Sequence, residues 1–140
     1  AGLAAIGLGA WAVVDQARST PDATTQRELD RALAVLADAS AERYPLRGSV
    51  GRIALVVTAE NEAALALDGL GPAPEGMTYQ VWLVPAGSVT PLADATFDAT
   101  ARAVPLDRTV PAGARVGVTL EPPGGSERPS RPLRLVASRG

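Results

Sequence analysis

Leu65-Ala-Leu-Asp-Gly-Leu-Gly-Pro-Ala-Pro-Glu-Gly-Met-Thr-Tyr-Gln-Val-Trp-Leu-Val84 decides the fold class of this chain. Its second half alternates Tyr79, Val81 and Leu83 with Gln80, Trp82 and Val84, the two-residue period of a strand. Its first half opens on the end of the run Ala63-Ala-Leu-Ala-Leu67, with Leu65 and Leu67 sharing a face. Between the two runs, Gly69 to Pro74 is all turn chemistry and too short for the crossover helix a parallel pair requires. Working outward, Arg52 to Thr58 places Ile53, Leu55 and Val57 on one face. Arg115 to Glu121 sets Val116, Val118 and Leu120 against polar or small residues. Shorter strand candidates lie near Leu46, Ala95 to Phe97, Arg102 to Leu106 and Leu133 to Val136. Pro85-Ala-Gly87, Pro111-Ala-Gly113 and Pro122-Pro-Gly-Gly-Ser126 punctuate the gaps. Short alternating runs with turn signals at this spacing predict a mainly β domain over residues 43–140, an antiparallel β-sandwich, Ig-like or similar.

Upstream the period becomes helical. Thr20-Pro21 offers an N-cap with Pro at the first helical position, and Thr25 with Glu28 a capping box. Leu29, Leu33 and Leu36 recur at helical spacing, widened by Ala32 and Val35, while Asp30, Arg31 and Asp38 occupy the other side. The pattern predicts an amphipathic stalk helix over Pro21 to Ala39, packed on the sandwich or on a copy of itself. Further upstream, Ala1-Gly-Leu-Ala-Ala-Ile-Gly-Leu-Gly-Ala-Trp-Ala-Val-Val14 carries no charge. A spanning helix needs about 20 apolar residues, so the run is expected to be the end of a transmembrane helix truncated at its start. Trp11 suits the headgroup level. The expected organisation is therefore the end of a membrane span (1–17), a juxtamembrane linker and stalk helix (18–42), and the sandwich (43–140). Acids outnumber Arg in the flank that follows the run, which leans toward an outward-facing C-terminal portion.

Composition narrows the chemistry. The 140 residues are 46% hydrophobic and 20% charged, with a net charge of -2, so a core is available and a nucleic-acid surface is not expected. The chain has no Cys, no His and no Lys. That removes Cys/His zinc sites, Ser-His-Asp and Cys-His nucleophile systems, Schiff-base lysines and the P-loop lysine. No catalytic, cofactor-binding or metal-ligating residue is assigned, no cofactor is expected, and the chain is not expected to be an enzyme. The Ala-rich, Arg-only composition is associated with GC-rich genomes such as those of actinobacteria.

A few residues invite a sharper reading. Exposed together, Gln80 and Trp82 would make a carbohydrate or peptide platform, as in a cell-surface β-sandwich binding module, which is the alternative function. Buried, Trp82 is a core aromatic with its indole N–H satisfied by a backbone carbonyl, and Tyr79 is its opposite-face partner. The buried arrangement is expected. Gly124-Gly125-Ser126, near Arg128 and Arg131, resembles an anion cradle, but no helix follows it, and a turn needing positive φ explains the glycines. Glu60-Asn61-Glu62, with Asp68 and Glu75, lacks the spacing of a calcium loop and reads as a solvated hairpin. The arginines from Arg128 to Arg139 read as a solvated, partly ordered tail.

Three stretches taken together resemble the anti-sigma-K factor C-terminal domain family. They are the Leu65 to Val84 stretch with its Tyr79-Gln-Val-Trp82, the segment from Pro105 to Pro122, and Glu121-Pro-Pro-Gly-Gly-Ser126, where Pro129-Ser130 stands in place of the family's usual Pro-Thr. The resemblance covers about Tyr44 to Val136. It implies the outer domain of a single-pass membrane protein, lodged in the cell membrane with its C-terminal domain extracytoplasmic. It also implies negative regulation of an extracytoplasmic-function (ECF) sigma factor through a cytoplasmic domain absent from this chain. Release is implied to proceed by site-1 and intramembrane proteases, a regulated intramembrane proteolysis. Membrane attachment would be through the N-terminal span, and no nucleic-acid partner is implied.

Overall fold

A computed structural model describes residues 23–47, 52–98, 100–133 and 135–139. One helix, α1 (Ala23–Ala37), precedes eight strands: β1 (Glu42–Pro45), β2 (Arg52–Val57), β3 (Ala63–Asp68), β4 (Thr78–Val84), β5 (Leu92–Phe97), β6 (Ala103–Pro105), β7 (Arg115–Glu121) and β8 (Leu135–Ser138). They form two four-stranded antiparallel sheets, ordered β1-β2-β3-β6 and β5-β4-β7-β8. The sandwich is as expected, but this order is not the immunoglobulin one, in which the first two strands neighbour the fifth and fourth. The expected end of a membrane span, residues 1–17, lies outside the described residues. Among the described residues no helix is long and apolar enough to cross a membrane.

The alternating runs meet where their periods require. Ile53, Leu55, Val57 and Leu65 from one sheet face Tyr79, Val81, Leu83, Val116 and Val118 from the other. Leu55, Leu65, Val81 and Val116 are fully buried, each contributing about 1.5–3 kcal/mol relative to exposure. Tyr79 stacks on Phe97 with centroids 5.3 Å apart, and its hydroxyl donates to the Gly71 carbonyl at 2.6 Å. That bond ties the Pro-rich turn to the core.

Both sheets also carry apolar residues on their outer faces, and each face is covered. On the first sheet Val56, Ala64 and Ala103 are buried under Ala32 and Val35 of α1. The expected stripe was Leu29, Leu33 and Leu36 widened by Ala32 and Val35, with the leucines at its centre. Instead Leu29 and Leu33 are 37% and 48% exposed, and Leu36 is only partly buried against the sheet. Small residues on both surfaces let the helix backbone approach closely, which rotates the contact onto Ala32 and Val35. The second sheet is covered by its own chain. Residues 122–133 leave β7 and cross the outer face before β8, and Leu133 lies so close over Gly117 that a Cβ there would sit 2.9 Å from its Cδ1. The expectation of a solvated arginine tail fails here, because the segment carries this strap and an edge strand paired with β7.

Candidate functional site

Under the strap, the polar side of β4 and β7 forms one connected network. The register sets Gln80 against Thr119 and Trp82 against Gly117, so the β7 residue beside Trp82 has no side chain. Trp82 is fully buried, and its Nε1 donates to the Thr119 hydroxyl at 2.7 Å. The expected backbone carbonyl is thus replaced by a side chain one strand away. Thr119 passes the bond on, its Oγ1 donating to Glu121 Oε2 at 2.6 Å. Glu121, 0% exposed, also accepts the Ser126 hydroxyl at 2.8 Å on Oε1 and the Ser130 N–H at 3.2 Å to each oxygen.

Gln80 completes the grip. Its amide nitrogen donates to the Ser126 carbonyl at 2.9 Å, and its amide oxygen accepts the Ser126 N–H at 2.8 Å. One side-chain amide thereby pairs with both backbone groups of a single strap residue, as a neighbouring strand would. The turn allows this only because Gly124 and Gly125 have φ of 88° and 82°, where other residues are strained. A Cβ on Gly125 would also lie 2.9 Å from Gln80 Oε1. Burial alone would raise the Glu121 pKa. The hydrogen bonds from Thr119, Ser130 and Ser126 outweigh it and hold the carboxyl below its ordinary range. No cation pairs with it among the described residues, so dipoles alone hold this charge.

This arrangement fastens the strap to the second sheet. Among the described residues no buried side-chain polar atom lacks a partner, and no group of side chains is set to hold a metal ion. Gln80 and Trp82 offer no platform, since both are buried. The Gly124–Ser126 turn is no anion cradle, because the Gly125 N–H is spent on Pro122 and that of Ser126 on Gln80. Glu60-Asn61-Glu62 forms the β2–β3 hairpin, with Asn61 at φ 68° and Thr58 bonded to Glu62.

A second feature lies where the sheets part. Opposite Val81, β5 carries two residues, Asp94 and Ala95, in place of one, a bulge that re-aims a side chain. Asp94 accepts the N–H groups of Asp107 and Arg108 at 2.8 and 3.0 Å, latching the second sheet to the loop after β6. Burial pushes its carboxyl up, and the backbone donors partly offset that. Beside the latch opens a cleft of about 580 Å³ between β5, β6, the start of α1 and the 124–127 turn.

The network residues Gln80, Trp82, Thr119, Glu121 and Ser126 fall within the three stretches that carry the resemblance noted above. Comparison agrees. The family model described as "Anti-sigma-K factor rskA, C-terminal" matches residues 1–134. A protein named "Anti-sigma-K factor RskA" from Mycobacterium sp. (strain KMS) is 33% identical over 138 residues, 94% of this chain and 53% of the relative. One of the same name from Mycolicibacterium vanbaalenii is 32% identical over 136 residues, 91% of this chain and 52% of the relative. An "Uncharacterized protein in phr 5'region" from Streptomyces griseus is 30% identical over 135 residues, 93% of this chain and 56% of its own. The chain thus spans about half the length of the curated relatives it matches, and no solved structure matches it significantly. This chain belongs to the anti-sigma-K factor C-terminal family.

Proposed function

We propose that this chain is the extracytoplasmic regulatory domain of a single-span anti-sigma factor. The whole protein would hold an ECF sigma factor inactive until proteolysis releases it. Family membership over residues 1–134 carries the proposal, and the uncharged run Ala1 to Val14 supports membrane attachment. In this scheme the domain works without chemistry of its own. It is a folded cap that limits protease access to the connector near Asp15 to Thr25. The docking of α1 on the first sheet supports such a role, because it ties the end of the connector to the cap.

The test uses the whole reading frame expressed in membranes, with this chain alone as control. A sigma factor should be recovered with the whole protein and not with the control, and deleting Tyr44 to Gly140 should change cleavage of the anchor. Recovery of no sigma factor would overturn the regulatory assignment. Unchanged cleavage after the deletion would overturn the cap.

A further inference from the structure

The two long edges of the sandwich are finished differently. On one, β1 runs on into Arg47, whose N–H and C=O pair with Val136 of β8 at 3.1 and 3.3 Å, so backbone closes the gap between the sheets. On the other, β5 is tied to the loop after β6 by the Asp94 latch and by Arg108 Nε on the Ala93 carbonyl, and a groove runs along the seam. It joins the cleft of about 580 Å³ to a second hollow of about 610 Å³, and Glu28, Thr96, Val104 and Pro105 line both. The second hollow has an apolar lining, with Leu29, Phe97, Ala101 and Val104 among its walls. Leu29 remains 37% exposed there, an apolar side chain that the helix–sheet contact leaves uncovered.

The charge along this groove is one-sided. Glu28, Asp94, Asp98 and Glu127 line it, and none has an ion-pair partner among the described residues. Asp107 also lines it but is bridged to Arg31 at 3.5 Å. Arg102 is the one guanidinium among the described lining residues. We propose that the β5–β6 groove is a docking site for an extended, basic segment of a partner polypeptide. An apolar side chain would lie against Leu29 and Ala101, and an Arg or Lys would reach the Glu28, Asp94 and Glu127 end. An added β-strand is not the mode of binding. Pro105 has no N–H to give at the β6 edge, and on β5 the Ala95 N–H and Ala93 carbonyl are taken by Asp94 and by Arg108 Nε. Side chains, not a backbone ladder, therefore do the recognising.

The probe is a labelled octapeptide alternating Arg with Val, and its counterpart with Glu in place of Arg, titrated against this chain by anisotropy and amide chemical-shift mapping. The Arg peptide binds and the Glu peptide does not, binding weakens with salt, and the shifts concentrate at Leu29, Thr96, Ala101 and Glu127. Glu28→Gln combined with Glu127→Gln weakens binding about tenfold. Both glutamates are exposed, so the double variant should keep its melting temperature. Equal binding of the two peptides, shifts elsewhere, no binding, an unweakened double variant, or self-association of the chain through this seam would each overturn the proposal. The result is independent of whether a sigma factor is recovered by the whole protein.

Discussion

Truncating Glu121 should loosen the strap, and the size of the effect follows from its bonds. The carboxylate accepts from the Thr119 hydroxyl, the Ser126 hydroxyl and the Ser130 N–H. Glu121→Ala leaves the buried Thr119 hydroxyl without its acceptor, at about 1–3 kcal/mol, and frees the half-buried Ser126 hydroxyl and the exposed Ser130 N–H, which water can reach, at less. The loss is about 3 kcal/mol, which for a domain of this size lowers the melting temperature by about 12 °C. Glu121→Gln should cost less. Thr119 already accepts the Trp82 indole N–H, so its own proton must go to residue 121, and the oxygen of Gln has to occupy the Oε2 position. The amide nitrogen then faces Ser126, whose hydroxyl can turn and accept, leaving a loss of about 1–2 kcal/mol.

The acid limb adds a second readout. Glu121 is held below its ordinary pKa when folded, so the folded chain releases this proton more readily than the unfolded one. The stability it gives is complete above the unfolded-state value and is lost as pH falls through the lowered one. Glu121→Gln should flatten that part of the stability–pH curve. Unfolding is followed by Trp82 fluorescence in a Trp11→Phe background, with circular dichroism as check. An Ala variant as stable as the parent, or a Gln variant with an unchanged acid limb, would refute the account of the network.

Two further perturbations probe the covers on either side of the sandwich. Gly117→Ala places a Cβ 2.9 Å from Leu133 and should destabilise by about 1–3 kcal/mol. Adding Leu133→Ala should recover part of that loss, and strictly additive effects in the double-mutant cycle would show that the two do not press on each other. Ala32→Leu forces a larger side chain into a fully buried contact with Val56, Ala64 and Ala103. It should speed amide exchange across α1 while leaving β4 and β7 protected, and uniform exchange would mean that the helix is no separate layer.

How much of this was legible in the sequence differs by feature, for physical reasons. The β2, β3, β4 and β7 runs were placed within a residue of their observed ends, because one face of each packs against the opposite sheet and a two-residue period is hard to mistake. The same reasoning misjudged the other faces. Alternation labels Thr119 and Glu121 as solvent-facing, since polar residues opposite a core stripe usually are, yet both are buried under the strap. Nothing local to β7 signals a cover supplied by residues up to 16 positions away. The clue lay elsewhere, in Gln80 and Trp82. A Trp and an amide on the same outer face of a central strand mean that this face is covered too. Helix α1 misleads in the opposite direction, because large leucines draw the eye while the sheet beneath them, at Ala64 and Ala103, has room only for a close-approaching Ala32.

Those two errors share a cause. A hydrophobic pattern reports which residues avoid water, and the partner surface decides which of them touch. In this chain both partner surfaces are cut from small residues, Gly117 on one sheet and Ala64 with Ala103 on the other. The covers are consequently close and shape-dependent. An added methyl group at Gly117, or a leucine at Ala32, should therefore release a cover without unfolding the sandwich between them. If the domain governs access to the connector ahead of α1, the release of the α1 cover is the event that would expose it. Ala32→Leu in the whole protein should then raise cleavage of the anchor where Gly117→Ala does not, and equal cleavage in both would separate stability of the domain from control of the connector.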